Sequence, residues 1–232
     1  MGFSWSDFAA GARDIAIVVP GPFSVALIAS VAAVGAGLSA AQAFAMIGLT
    51  FAGASQLAAL ELLSDGATLA VVVLTALVIN ARFAIFSASL APHFRDLSAG
   101  WRWLLGAVVS TPAAVVSLAQ FAGDGSVDAR SYYLGAALTM WGAWQVGTAA
   151  GLVVGARLPP GLGLKFVVPR VFIARLFQTL GERPSAVAGG VGGLVALAGA
   201  GLPLGLGFVV GALTGVLAGE AAHRLGSRGE AA

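Results

Sequence analysis

The sequence predicts an all-α protein, a polytopic transmembrane bundle of about eight helical segments, and three observations carry that expectation. Of 232 residues 59% are hydrophobic and 9% charged, against about 25% charged in an ordinary globular chain, and the mean hydropathy is +0.95. Apolar stretches of about 20 residues, the length that crosses hydrocarbon, recur along the whole chain. Proline and glycine interrupt several of them, as in discontinuous membrane helices whose freed backbone groups find partners inside the protein.

The segments fall at 15–37, 41–63, 67–90, 103–122, 131–155, 164–180, 185–201 and 203–222, within a single membrane domain over 1–232. The sixth is short for a span, and only Gly201–Pro203 separates the last two, so half-helical or re-entrant forms stay open there. Met1–Arg13 carries one base at its end with Asp7 and Asp14 close by, unlike a cleavable signal peptide, so the first segment is expected to be retained. Trp5, Trp101, Trp103, Tyr132 and Tyr133 precede segments and are expected to anchor them at the membrane interface. Bases divide evenly between the two sides, so charge sets no orientation.

The absence of cysteine excludes disulfides, thiolate metal sites and cysteine nucleophiles. A net charge of +2 comes from bases scattered through short loops with no basic run, which argues against nucleic acid as a partner. No cluster has metal-ligand spacing, and the glycine-rich GVGGLVALAG lacks the strand and acidic residue of a dinucleotide site, so no cofactor or metal is expected. Ser55, in a Gly-x-Ser context, would need a base within hydrogen-bond reach to act as a nucleophile, but His93 stands at a helix end and His223 in the C-terminal tail. An enzyme is not expected.

A shift of 89 residues lays TFAGASQ (Thr50–Gln56) on TMWGAWQ (Thr139–Gln145) and Arg13 on Arg102. With slight slack it also brings Pro22 near Pro112 and VINARF (Val78–Phe83) near VVPRVF (Val167–Phe172). Three helices over about 13–90 would then repeat as three over about 102–180, followed by a helical pair over about 185–222. An odd number of spans per unit inserts the second unit upside down, an inverted repeat familiar from secondary transporters.

Asn80 and Arg82 interrupt an apolar segment. An arginine near mid-span costs at least about 2.5–3.5 kcal/mol, so it ordinarily faces a protein interior or wet cavity; the structural alternative is a pair with Glu61 or a carbonyl cap. Pro20, Gly21 and Pro22 break the first segment, and Pro112 and Pro169 stand in comparable places, although prolines are common in membrane helices generally. GASQ (Gly53–Gln56) and GAWQ (Gly142–Gln145) each join small residues to polar groups. Ser55 reads first as packing glue between helices, whereas the matched Gln56 and Gln145 favour a cavity. Gly207, Gly211, Gly215 and Gly219 recur every four residues and predict a close-packing face, with Gly189 and Gly193 as a candidate facing ridge within the chain.

The stretches FAGASQLAALELL, LVINARFAIFSASLAPHF, YLGAALTMWGAWQVGTAAGLVVG and LKFVVPRVFIARL resemble, in order and spacing, the azaleucine-resistance (AzlC-like) family of branched-chain amino acid exporters, over nearly the whole chain. The resemblance implies a bacterial inner-membrane exporter of small apolar amino acids, working with a separate small hydrophobic subunit of the AzlD type. It carries over Gly53, Ala54, Ser55 and Gln56, then Asn80 and Arg82, then Ala91, Pro92 and His93, and the Pro-Phe element Pro22 and Phe23. The chain departs from the family at Phe83, where histidine is usual, at Lys165, where aspartate is usual, at FAGDGSVDARS, which replaces a Thr-Asp-Glu element, and at Arg170 after Pro169. These departures remove acids and a histidine and add bases, which leaves a more anionic cargo open.

The leading expectation is a secondary transporter with its substrate site near the Pro20–Pro22 break: Arg82 for the carboxylate, Phe83 and Trp141 as an apolar wall, and Ser55, Gln56, Asn80, Gln145, Pro169 and Arg170 around it. Glu61 is the candidate group for proton or ion coupling. The rivals are a passive channel and a non-transporting membrane subunit.

Overall fold

The computed structural model describes residues 2–123, 127–157, 183–199, 201 and 206–229, and among these every regular element is helical. The helices are α1 (Trp5–Ala16), α2 (Pro20–Gly35), α3 (Ala40–Thr50), α4 (Gly53–Ser64), α5 (Leu69–Asn80), α6 (Arg82–Leu90), a 3-10 turn (Ala91–Phe94), α7 (Ala99–Ala107), α8 (Thr111–Phe121), α9 (Ala129–Gly155), α10 (Arg183–Ala198) and α11 (Leu206–Gly229). The sixth segment, with Lys165, Pro169 and Arg170, lies outside the described residues.

The chain forms two compact units, one of Met1–Leu57 with Ile79–Leu162, the other of Ala58–Val78 with Gly163–Ala232. Helices α4 and α5 each run from one unit into the other.

In the first unit α9 is the central mast, and α1, α2, α3 and α8 pack on it. Close approach depends on glycines where a Cβ would collide with a neighbouring backbone: Gly11 against Tyr132 O, Gly135 against Phe8 O, and Gly151 against Leu27 O. At Gly147 the same atom would stand 2.6 Å from Phe23 O. Such small-residue seams are how membrane helices gain contact, since lipid supplies no hydrophobic drive between them. Beside the seam a core of Ile15, Leu90, Phe94, Leu105, Tyr133, Leu134 and Met140 is buried.

Four of the expected segments are broken rather than continuous. The first splits into α1 and α2 with a bend of 67°, because Pro20 and Pro22 lack the N–H that a helix interior needs and instead occupy the first turn of α2, where none is required. The second breaks at Phe51, which adopts φ +46, between α3 and α4. The third breaks at Ala81, and the fourth at 108–110, where Pro112 again sits in the first turn of the next helix. Glycines in the left-handed region, Gly37 at φ +88 and Gly66 at φ +74, follow the ends of α2 and α4.

By length and composition one stretch, Leu69–Phe94, can cross a membrane among the described residues, and α1 with α2 makes a second if the bent pair is one span. Only 17% of the most apolar window of Leu69–Phe94 is buried, unlike the core helix of a soluble protein.

Tyr132 and Tyr133 are not interface anchors but core residues, 1% and 0% exposed. Their hydroxyls find partners inside, Tyr132 Oη donating to Asp14 Oδ2 at 2.7 Å and Tyr133 Oη to Leu105 O at 3.2 Å, which removes the need for water. Trp5 and Trp103 do face outward, at 74% and 80%.

In the second unit α10 and α11 pair through the predicted ladder. A Cβ at Gly211 would lie 2.6 Å from Gly192 O, at Gly215 2.7 Å from Ala188 O, and at Gly219 2.8 Å from Ala188 Cβ, while Gly207 abuts Gly199. The facing ridge is Ala188, Gly192, Ala196 and Gly199 rather than the expected one: Gly193 has open space beside it because it lies one position round the helix.

Candidate functional site

Helix α3 starts with a capping box, Ser39 Oγ accepting from Gln42 N while Gln42 Oε1 accepts from Ser39 N. It ends abruptly at Phe51, and the last carbonyls of a helix have no partner within it. Here side chains supply the donors. Gln56 Nε2 donates to Met46 O at 2.9 Å, Ile47 O at 3.2 Å and Thr50 Oγ1 at 2.8 Å. From α9, Trp144 Nε1 donates to Ile47 O at 2.8 Å and Gln145 Nε2 to Gly48 O at 2.7 Å. Phe51 packs edge-on against Trp144 with ring centres 5.2 Å apart.

On the other side of the break, Ser55 Oγ donates to Ala52 O at 2.8 Å and accepts from Asn80 Nδ2 at 3.0 Å. Asn80 is the last residue of α5, so two helix breaks meet at this bond. Gly53 wedges between Val25 of α2 and Trp144 of α9: a Cβ there would lie 2.8 Å from Val25 Cγ1 and 2.9 Å from Trp144 Cη2.

The two matched glutamines therefore grip neighbouring carbonyls of one helix end. Their seven-residue contexts behave differently: Thr50–Gln56 is broken at Phe51, whereas Thr139–Gln145 lies within continuous α9. Once their amide nitrogens are spent, Gln56 Oε1, Asn80 Oδ1 and Gln145 Oε1 are buried acceptors without a hydrogen-bond partner. Unmet buried acceptors are uncommon and costly, and they stand beside the C-terminal, electronegative end of α3. Chemically the arrangement suits a donor or a positive charge.

The remaining candidates are placed as follows. Ser55 and Gln56 are 4% and 3% exposed. Arg82 begins α6 on an exposed position, its guanidinium 5.2 Å from the centre of the Phe83 ring. Trp141 is 42% exposed and makes no part of the α3 clamp; Trp144, which the sequence reading passed over, is the inward tryptophan. The signal was present, since Gly147, Gly151 and Gly155 mark the packed face of α9 and Trp144 precedes them on it, one turn beyond Trp141. Pro20, Gly21 and Pro22 form the first turn of α2, and a Cβ on Gly21 would meet nothing. Glu61 is half-buried in the part of α4 that belongs to the second unit. The His93 ring lies against Phe121, centres 4.7 Å apart and tilted by 43°. Among the described residues no group of His, Cys, Asp and Glu could hold a metal ion.

The model of the AzlC protein family matches residues 18–158, from just before α2 through α9. The chain belongs to the AzlC family. The match takes in every residue of the α3 clamp and leaves α10 and α11 outside it. AzlC proteins are membrane transporter components, not enzymes, and the family is associated with export of branched-chain amino acids. No curated protein and no solved structure matches the chain.

Proposed function

We propose that this AzlC protein is a secondary transporter that exports small apolar, branched-chain amino acids across the bacterial inner membrane, coupled to protons or another ion and working with a small AzlD-type subunit. The observation that carries the reading is the set of buried, unmet amide oxygens of Gln56, Asn80 and Gln145 at two meeting helix breaks. Unwound points of this kind are where transporters bind substrate, half-helix C-terminal ends favouring cationic groups. The amide oxygens would take the ammonium of the amino acid. Arg82 would take the carboxylate, whose two oxygens match a guanidinium fork, each charged hydrogen bond being worth about 1.5–3 kcal/mol.

In this reading the eight segments form two inverted units of three helices, about 13–90 and 102–180, with the glycine-paired hairpin as an addition. Phe83 supplies apolar wall next to Arg82, Pro20–Pro22 the flexible break, and Glu61 the titrating group. Pro169 and Arg170 complete the second unit.

The test is counterflow of labelled leucine and valine in liposomes, with and without the small subunit. Saturable counterflow that Arg82→Ala and Gln56→Leu both abolish supports the reading, and Arg82→Lys should impair it strongly, because an ammonium cannot reproduce the bidentate contact. Flux that never saturates would identify a channel instead; full activity in both variants would move the site elsewhere.

A further inference from the structure

A cavity of about 310 Å³ lies in the first unit, away from the α3 clamp, between the end of α6, the 3-10 turn, α7 and α9. Its floor is core: Leu90, Phe94, Leu105 and Tyr133 are 3%, 6%, 2% and 0% exposed. Two guanidiniums, Arg95 and Arg102, line it, both on exposed positions. No carboxylate lines it, and among the described residues neither arginine is joined to a carboxylate in an ion pair. The only hydroxyls there are those of Ser87 and Tyr133, and the latter is spent on Leu105 O.

We infer that this cavity binds an anionic phospholipid, the phosphate between Arg95 and Arg102 and an acyl chain over the apolar floor. Depth is the first argument. Arg95 directly follows the apolar stretch Leu69–Phe94, so it stands where hydrocarbon gives way to headgroups. Helix α7 has the composition of that boundary, with Trp103 80% and Leu104 48% exposed beside Arg102. Charge is the second argument. Two positive groups line the cavity while the neighbouring Asp96 lies outside the lining, which suits a net anion, whereas a zwitterionic amino acid would bring an ammonium with no acceptor of opposite charge in the lining. Basic pockets between membrane helices recognise anionic headgroups on this principle.

The experiment is native mass spectrometry of the full-length protein in detergent, titrated with phosphatidylglycerol, phosphatidylcholine, inorganic phosphate or leucine. Wild type should retain phosphatidylglycerol well above phosphatidylcholine. The double variant R95Q/R102Q should bind phosphatidylglycerol about thirtyfold more weakly, each base contributing roughly a factor of five. Gly106→Phe keeps both arginines but fills the cavity, since a Cβ on Gly106 meets nothing within 4 Å; it too should lose the lipid. Retention of phosphatidylglycerol in both variants, binding of inorganic phosphate alone, or leucine binding that the variants abolish would each overturn the assignment, the last by making the cavity a substrate site. Both arginines are exposed, and the Gly106 variant tests the cavity independently should the double variant fail to fold.

Discussion

Asn80 Nδ2 donates to Ser55 Oγ at 3.0 Å across 25 residues of sequence, joining the last residue of α5 to the first turn of α4. The Ser55 hydroxyl hydrogen is already committed to Ala52 O, so the bond from Asn80 uses its lone pair and orients both side chains. Asn80→Ala and Ser55→Ala should therefore be non-additive. Thermal unfolding of the single and double variants in one detergent should give a coupling of about 0.5–1.5 kcal/mol, the net worth of a hydrogen bond. Simple additivity would mean that the two breaks are independent.

The clamp on α3 makes a second expectation. Gln145→Leu leaves Gly48 O without its side-chain donor, and Gln56→Leu withdraws donors from Met46 O, Ile47 O and Thr50 Oγ1. Gln145→Leu should destabilise by about 1–3 kcal/mol, the desolvation cost of a stranded buried acceptor, whereas after Gln56→Leu Met46 O keeps Thr50 Oγ1 and Ile47 O keeps Trp144 Nε1, so that variant should lose about 0.5–1.5 kcal/mol for each hydrogen bond given up. Trp144→Phe is the gentler case, because it keeps the ring beside Phe51 while removing the bond to Ile47 O; Ile47 O still has Gln56, so the loss should be below about 1.5 kcal/mol. A larger loss for Trp144→Phe than for Gln56→Leu would mean that packing, not carbonyl capping, holds the break.

Composition and hydropathy made the helical, membrane class legible, and the polar elements GASQ, Asn80 and GAWQ pointed to residues that do meet. Tertiary effects hid the rest. Proline at 20 and 112 announced interruption but not its sense: in both places the ring starts a new helix, and the break lies before it. Little in the local sequence marks Phe51, because its ring packs on Trp144 of the distant α9 and the helix end before it is held by Gln145 of α9 as well as by the nearby Gln56. Tyr132 and Tyr133 read as interface residues by type, yet Asp14 and the carbonyl of Leu105 make the interior polar enough to accept them. The glycine ladder of α11 was plain, whereas the facing ridge depended on helix rotation, which a run of adjacent glycines leaves ambiguous.

Packing around α9 and α11 is expected to separate glycines that look alike in sequence. Gly151→Val pushes side chain into Leu27 O and Ser30, and Gly211→Val into Gly192 and Ala196. Each should cost about 1–3 kcal/mol, the usual penalty of overpacking. Gly193→Ala sits next to the seam residue Gly192 but points into open space, and should be neutral or slightly stabilising, alanine being the better helix former. Unfolding midpoints of the three variants decide the matter, and an equal loss in all three would remove the assigned seams.

Acid sensitivity should be traceable to the start of α9. Asp128 caps that helix, its Oδ1 accepting from Ser131 N at 2.8 Å with Arg130 Nε 3.8 Å away, while its own N–H donates to Asp7 Oδ2 at 2.9 Å. Burial alone would raise the carboxyl pKa, but the bonds from Ser131 and the charge of Arg130 outweigh it and hold the group below its ordinary value. A pKa lowered by folding contributes stability that is present above the unfolded value, about 3.9, and is lost as pH falls through the folded one. Asp128→Asn keeps an acceptor for Ser131 N and gives up the charge, so it should lower the midpoint at pH 7 while flattening its decline below about pH 4. Asp128→Ala loses the cap as well, at about 1 kcal/mol further cost. Melting curves from pH 7 to pH 3 compare the three proteins directly, and parallel acid limbs for wild type and Asp128→Asn would place the titrating group elsewhere.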